Sequence, residues 1–318
     1  MKFVYENRAS AILHNLLLSE PHRTAWLLPA NVCPIVPLTF RKARRSFEFV
    51  DIEEATLCMN RSEVLKRLRA TPDRYGGVLF VRTYGVEGAF DDLFDEIKRC
   101  SPATLVIDDR CLCPPRLDEP ASPLSDGLLY STGYAKPVDL GFGGFAWLAD
   151  GIAYRRHGLP FRAEDLGRLT TAIKAGIEQE HRFEYTDTHW LDAGEPVMPL
   201  DEYRSSIRTR ARESVALKSR INRVYRNGLP KSICLDERFQ NWRFQILVPE
   251  KDRLLAALFD NGLFASSHYA DLTGIFSDGV SPEAARLHQR VVNLFNDRYF
   301  SEDRAEQTVA LVLEHLAV

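Results

Sequence analysis

The stretch that decides the fold runs from Leu105 to Trp147. It reads LVIDDRCLCPPRL over Leu105–Leu117 and, after a polar interval, LLYSTGYAKPVDLGFGGFAW over Leu128–Trp147. Val106 and Ile107 form the end of an apolar run that passes directly into Asp108 and Asp109. A fully buried strand of a parallel sheet has this continuous apolar character, and such sheets bind ligands at the carboxyl ends of their strands. Gly127 to Tyr130 is a second short apolar strand, ending in Ser131. Lys136 follows five residues later, in a loop before Gly141, Gly143 and Gly144. Those glycines let the backbone turn sharply and approach another group closely, before Phe145 to Leu148 resumes an extended apolar run.

Taken singly, a lysine in a loop is a solvated cation, an aspartate at a strand end is a turn residue, and a serine there is a hydroxyl in water. Together they meet the requirements of a pyridoxal phosphate site. Such a site needs an amine that forms a Schiff base with the cofactor aldehyde, a buried carboxylate for the ring nitrogen, and hydroxyl or backbone N–H groups for the phosphate. Lys136 is the candidate amine, Asp109 the carboxylate and Ser131 the hydroxyl.

The chain resembles the DegT family of pyridoxal-phosphate-dependent nucleotide-sugar aminotransferases, which have the fold type I, or aspartate aminotransferase, architecture. In that family a strand ends in an acidic pair whose second member meets the pyridine nitrogen, as at Asp108 and Asp109. A Gly-Asp precedes a strand ending in Ser, matched at Asp126 and Ser131. The lysine five residues on and the Gly-Gly seven and eight beyond it are matched by Lys136, Gly143 and Gly144. LLPANVCPIV (Leu27–Val36), FEFVDIEEATLCMN (Phe47–Asn60) and VLFVRTYG (Val78–Gly85) are similar to three successive upstream segments. GLFASSHYADL (Gly262–Leu272) and VVNLFNDRYFSEDRAEQ (Val291–Gln307) are similar to two downstream ones.

The resemblance implies an α/β fold: a large cofactor-binding domain over residues 1–195 with a mainly parallel sheet, and a small C-terminal α+β domain over residues 196–318. It implies transfer of an amino group from glutamate or glutamine to a keto group of a nucleotide-linked sugar, by a homodimer. It places the backbone N–H groups of Ala9 and Ser10 at the phosphate, with Arg8 adding charge, and Cys33 where the family stacks an aromatic residue on the ring. The chain departs from the family at several points. The glycine of the phosphate turn is replaced, Leu112 stands where His or Gln is usual, and the segment that carries an asparagine to the neighbouring subunit has no counterpart. The chain also begins almost at the phosphate turn, without the family's usual N-terminal helix. These departures leave open a second reading, a relative that keeps the fold and the cofactor without turnover. A dehydratase on the same scaffold is opposed by Lys136, and a serine-lysine hydrolase by the wide Ser131–Lys136 spacing.

Composition bounds the alternatives. A chain of 318 residues with 45% hydrophobic and 27% charged residues is long enough for one large core and a smaller one. A net charge of −3 gives no basic face for nucleic acid. No run approaches the ~18 apolar residues of a membrane helix, and MKFVYENRAS carries charges where a secretory segment is apolar, so a cytosolic protein is expected. The six cysteines are scattered and expected reduced, and Cys111-x-Cys113 lacks a second pair at metal-site spacing. Helical and extended patterns alternate: helix over Ala9–Leu18, strands over Thr24–Leu28 and Phe47–Val50, helix over Ser62–Arg69, strand over Gly77–Arg82, helix over Asp91–Arg99. Such alternation predicts βαβ units. Further helices are expected over Ala163–Ile177, Leu200–Arg226, Lys251–Phe259, Pro282–His288 and Glu302–Leu316, with strands at Trp242–Val248 and Val291–Phe295. The basic run Arg41–Arg45 reads as a solvated face, and His268-Tyr269 as a structural pair that reaches substrate only if the family likeness holds.

Overall fold

The structure, a computed structural model, describes residues 1–20, 25–118 and 124–317. In the first half the elements are β1 (Lys2–Glu6), α1 (Ala9–Ser19), β2 (Ala25–Pro29), α2 (Ile35–Lys42), β3 (Ser46–Val50), α3 (Arg61–Ala70), β4 (Tyr75–Val81), α4 (Asp91–Cys100), β5 (Leu105–Asp109), β6 (Gly127–Ser131) and β7 (Gly144–Leu148). The seven strands form one sheet in the order β1-β7-β6-β5-β4-β2-β3. Strands β3, β2, β4, β5 and β6 pair in parallel, while β7 is antiparallel to both its neighbours. Buried residues fill β2, β4, β5 and β6 from end to end, as a sheet covered on both faces requires.

The second half contains α5 (Ala163–Glu178), α6 (Leu200–Gly228), β8 (Phe244–Leu247), α7 (Lys251–Asp260), β9 (Ala265–Ser266), α8 (Thr273–Phe276), α9 (Pro282–His288), β10 (Val291–Leu294) and α10 (Glu302–Leu316). Its antiparallel sheet has the order β8-β10-β9. The 29 residues of α6 tie the two sheets together. Near its start Tyr203 and Ile207 pack with Tyr5, Tyr130 and Phe145 of the large sheet. Near its end Ile221 and Tyr225 join Phe244 and Leu294 in a separate core.

The alternation of helix and strand is as the sequence predicts, and every strand and helix expected there is present within a few residues of its expected bounds. Thr24, expected to open a strand, lies outside the described residues. Strand β1 and helix α2 were not foreseen. Lys2–Glu6 is too short for its alternation to stand out, and α2 hides behind Pro34 and Pro37, which a helix tolerates in its first turn. The basic run at the end of α2 is in part the solvated face expected, with Arg41 and Arg44 exposed, but it is also tied to other segments. Arg41 donates to the Phe276 carbonyl at 3.1 Å, Lys42 pairs with Asp187 at 2.6 Å, and Arg45 donates to the Leu17 carbonyl at 3.0 Å, so their charged heads hold neighbouring segments in place.

Two glycines set the start of α1. A Cβ on Gly144 would lie 2.4 Å from the Ala9 amide nitrogen, so only a glycine lets β7 pass this close to the first helical residue. Gly143 has φ +91°, and a side chain there would meet Thr132 and Tyr203 as well. Gly144→Ala is expected to cost about 1–3 kcal/mol of stability by overpacking against backbone that cannot yield, read as a lowered midpoint in urea unfolding. Further along α1, His14 is buried and its Nδ1 has no partner. Burial pushes its pKa down to about 4 from the usual 6.5. The folded state therefore binds fewer protons than the unfolded state between those values, and stability is full above pH 6.5 and lost as the pH falls toward 4. The loss approaches about 1.4 kcal/mol per pH unit for this one group. Urea unfolding of wild type and His14→Phe across that window should show the variant with the shallower slope.

Candidate active site

The carboxyl ends of β2, β4, β5 and β6 and the start of α1 enclose a cavity of about 280 Å³. Its lining includes Ala9, Ser10, Cys33, Asp109, Ser131 and Lys136, the six residues that the sequence assigns to the cofactor. Val32, Val81, Leu112 and Leu129 supply apolar walls. The geometry follows from the sheet: parallel neighbours end on the same edge, and loops of low regularity begin there.

Alternation along β5 separates the two acids. Asp108 is wholly buried and accepts from Arg82 through Nε at 2.9 and 3.2 Å and through a terminal nitrogen at 2.9 Å. Arg110 Nε adds a bond at 2.8 Å. Its charge is thus spent on two guanidinium groups. Asp109 points to the opposite face. It is 4% exposed, accepts one bond from the Cys111 amide at 2.8 Å, and has no ion-pair partner among the described residues. Burial raises its pKa above the usual value, while the Cys111 thiol, then the Cys111 N–H, then the positive charge of Lys136 pull it back down. A desolvated carboxylate that faces a cavity and has no ion-pair partner among the described residues suits a positively charged N–H donor.

Lys136 sits on a loop that is fixed from three sides. Thr132 shares a 2.6 Å hydrogen bond with the Tyr203 hydroxyl, Trp242 Nε1 donates to the Ala135 carbonyl at 2.6 Å, and Ser214 Oγ donates to the Pro137 carbonyl at 2.5 Å. Ala135, immediately before the lysine, has φ +58°. That conformation is costly for a residue with a Cβ and persists only where its surroundings impose it. The half-buried Lys136 makes no hydrogen bond or ion pair with the described residues, yet its charge is felt by Asp109, Cys111 and His268. The loop is held and the amine is left available.

At the other end of the cavity α1 begins without a capping side chain and with no acidic residue in its first turn. Its leading N–H groups therefore lack the usual acceptor, and a helix start of this kind favours an anion. Ser131 Oγ accepts from the Gly133 amide at 3.3 Å, which leaves its own proton free to donate. Arg8 also lines the cavity, but its guanidinium is engaged by the Gly141 carbonyl at 2.7 Å and by Asp192 at 3.4 Å.

Among the lining residues not assigned to the site from sequence are Cys111, Tyr134 and the wall residue Val32, while Tyr269 was given a place there only if the family likeness holds. Tyr269 belongs to the His268-Tyr269 pair. It is buried and stacks on Trp242 at 6.0 Å between centroids, and Tyr84 stacks on the same indole at 6.3 Å. Tyr134 is 75% exposed at the cavity mouth. The Ser131-to-Lys136 spacing is the one signal that could have drawn attention to Tyr134.

The two acids should respond oppositely to loss of charge. Asp108→Asn strips a buried site of the anion that holds Arg82 and Arg110, and is expected to cost about 3–5 kcal/mol. Asp109→Asn removes a desolvated charge with no counter-ion, and its urea midpoint should stay at or above that of wild type.

No protein-family model matches the chain, and no curated protein matches it. Solved structures do. PseC of Helicobacter pylori, an aminotransferase involved in the biosynthesis of pseudoaminic acid, superposes with a TM-score of 0.70 at 12% identity over 99% of this chain and 86% of its own. The sugar aminotransferase CalS13 of Micromonospora echinospora gives 0.68 at 20% identity, covering 98% and 87%. A DegT DnrJ EryC1 StrS aminotransferase of Brucella abortus gives 0.66 at 15% identity, covering 99% and 86%. The resemblance carried by the Asp109, Ser131 and Lys136 segments thus extends to the whole backbone: the chain has the fold of the DegT-type sugar aminotransferases, the fold type I architecture.

Proposed function

We propose that the protein is a pyridoxal-phosphate-dependent aminotransferase acting on the keto group of a nucleotide-linked sugar. The observation that carries this is the buried Asp109 carboxylate and the Lys136 amine, neither ion-paired with any described residue, sharing one cavity with an uncapped helix start. The chemistry of these donors fits the cofactor: a carboxylate for a ring N–H, an amine for an aldehyde, and backbone N–H groups with a hydroxyl for a phosphate. The fold shared with sugar aminotransferases supports the substrate class.

When bound, pyridoxal phosphate supplies an aldehyde that condenses with amines and a protonated ring that accepts the electron pair left by a departing proton. The chain's own groups do the rest. Asp109 keeps the ring nitrogen protonated by accepting its hydrogen bond. Ser131 and the Ala9 and Ser10 N–H groups hold the phosphate oxygens, and Cys33 and Val32 form the apolar wall. With the cofactor bound, the Lys136 Nζ would be the group that takes a proton from one carbon and returns it to another, as general base and then general acid. The fixed loop matters here, because proton transfer requires the amine at a defined position. The reading includes a large unit over residues 1–195, a small one over 196–318, a cytosolic homodimer, and glutamate or glutamine as amino donor, all supported by the family resemblance.

The test is reduction with borohydride after incubation with the cofactor, followed by peptide mapping. A phosphopyridoxyl label on Lys136, absent in a folded Lys136→Ala variant, is the expected result. Asp109→Ala should lose the cofactor on gel filtration, because a buried partner for the ring nitrogen is gone. Absence of label at Lys136 would overturn the proposal. Label without any spectral response to glutamate or glutamine would turn it toward a relative that has kept the cofactor and lost turnover.

A further inference from the structure

Lys136 follows a residue whose backbone is held at both of its peptide groups. Ala135 has φ +58°, a left-handed conformation that a residue with a Cβ resists. Its N–H donates to the Asp139 carboxylate at 3.0 Å, and the same carboxylate accepts from the Gly141 amide at 2.8 Å. Its carbonyl accepts from the indole Nε1–H of Trp242 at 2.6 Å. That carbonyl belongs to the planar peptide group whose N–H is the lysine's own, so the indole sets the plane from which the Lys136 side chain departs. One bond comes from within the loop, the other from a residue 107 positions away.

Trp242 is itself fixed. It is buried, and its ring stacks with those of Tyr84 and Tyr269, at 6.3 and 6.0 Å between centroids and within 7° and 11° of parallel. Its backbone carbonyl accepts from the buried Lys218 Nζ of α6 at 2.6 Å. The second acceptor of Lys218 is Asn296 Oδ1 at 2.8 Å, and Asn296 donates in turn to Asn222 Oδ1 at 2.8 Å. An indole has a single polar atom, and it only donates. Trp26 and Trp147 have buried ring nitrogens without a partner among the described residues, so burial alone does not oblige an indole of this chain to make a hydrogen bond. In Trp242 the donor is spent on the lysine loop, and the ring on Tyr269, which lines the cavity with Lys136.

We propose that Trp242 is a positioning residue for Lys136, holding the Ala135–Lys136 peptide so that the amine enters the cavity at a defined place, with Asp139 as the second support. This rests on the aminotransferase reading above. In the condensation a neutral Nζ attacks the aldehyde carbon, a C=N bond replaces the C=O bond, and the oxygen leaves as water with both hydrogens of the amine. The ring and phosphate are held by other residues, Asp109, Ser131, Ala9 and Ser10. A displaced lysine therefore costs the covalent bond while leaving the remaining contacts of the cofactor in place.

The test compares pyridoxal phosphate with pyridoxamine phosphate, which carries an amine in place of the aldehyde and cannot condense with a lysine. Both are titrated by calorimetry into cofactor-free wild type and Trp242→Phe, which keeps an aromatic ring beside Tyr84 and Tyr269 and loses the N–H. The aldehyde form should bind the variant about ten-fold more weakly, while the amine form binds both proteins equally. In the half-reaction with glutamate, the limiting rate should fall about ten-fold at an unchanged half-saturating donor concentration. An equal loss for the two forms, or no loss for either, would overturn the assignment and leave the aminotransferase reading standing. If wild type binds neither form, that reading falls and the assignment with it. If Trp242→Phe does not fold, Asp139→Ala carries the test from a half-buried position. The same selective loss is expected there, and unchanged binding of the aldehyde form counts against the positioning.

Discussion

A single carboxylate, driven out of water at the end of a central strand and given no ion-pair partner among the described residues, is the constraint around which the rest of the site is arranged. Asp109 is fixed there by the pairing of β5 with β4 and β6, and its neighbour Asp108 shows what an ordinary solution would have been. Asp108 is equally buried and fully matched by Arg82 and Arg110. One residue further along, on the other face, the same chemistry is left open. A protein selected for stability alone would neutralise both acids or replace one with an apolar side chain, since an unmatched buried charge is among the costliest groups a core can hold. The retained imbalance is sensible if the missing charge arrives with a ligand.

The lysine loop shows the complementary strategy. Its amine is free, but its backbone is not: hydroxyls from α6 and the indole of Trp242 hold three consecutive stretches of it, and the strained Ala135 is stabilised by the Asp139 carboxylate as well. Helix α6 therefore does more than join two sheets. It reaches the lysine loop with Tyr203 and Ser214 before its Lys218 meets the Trp242 carbonyl, so one rigid element sets the distance between Lys136 and the small sheet. Rigid supports for a mobile reactive group are what a positioned acid–base catalyst requires.

Much of this was legible in the chain itself. The apolar run into Asp108-Asp109, the run into Ser131 and the Lys136 and Gly-Gly spacings are local features, and local features survive folding unchanged. Strand alternation even selects Asp109 over Asp108 once β5 is granted. The groups that escaped attention come from remote segments. GLFASSHYADL points Tyr269 to the cavity only through the family likeness, because its placement depends on Trp242 and Tyr84 stacking from two other segments. The basic run at the end of α2 looked wholly solvated for the same reason, since its acceptors, Phe276, Asp187 and Leu17, are scattered over the chain. Composition and periodicity describe what a residue prefers, while its partners are set by topology.

The departures from the family pattern at the phosphate end have a physical resolution in the backbone. The expected glycine in the turn before α1 is absent, but close approach is still achieved, with the glycine on the opposing strand instead. Gly144 allows β7 to lie against Ala9, and the Gly143 amide donates to the Asn7 carbonyl at 2.6 Å, which fixes the residue before the helix start. Arg8 then turns outward to Gly141 and Asp192 and acts as a brace for the same corner. Helix α1 reaches the cavity with its first N–H groups uncapped because the corner behind it is secured by backbone and by Arg8. An acidic N-cap would satisfy those groups locally and would repel any anion approaching the helix start.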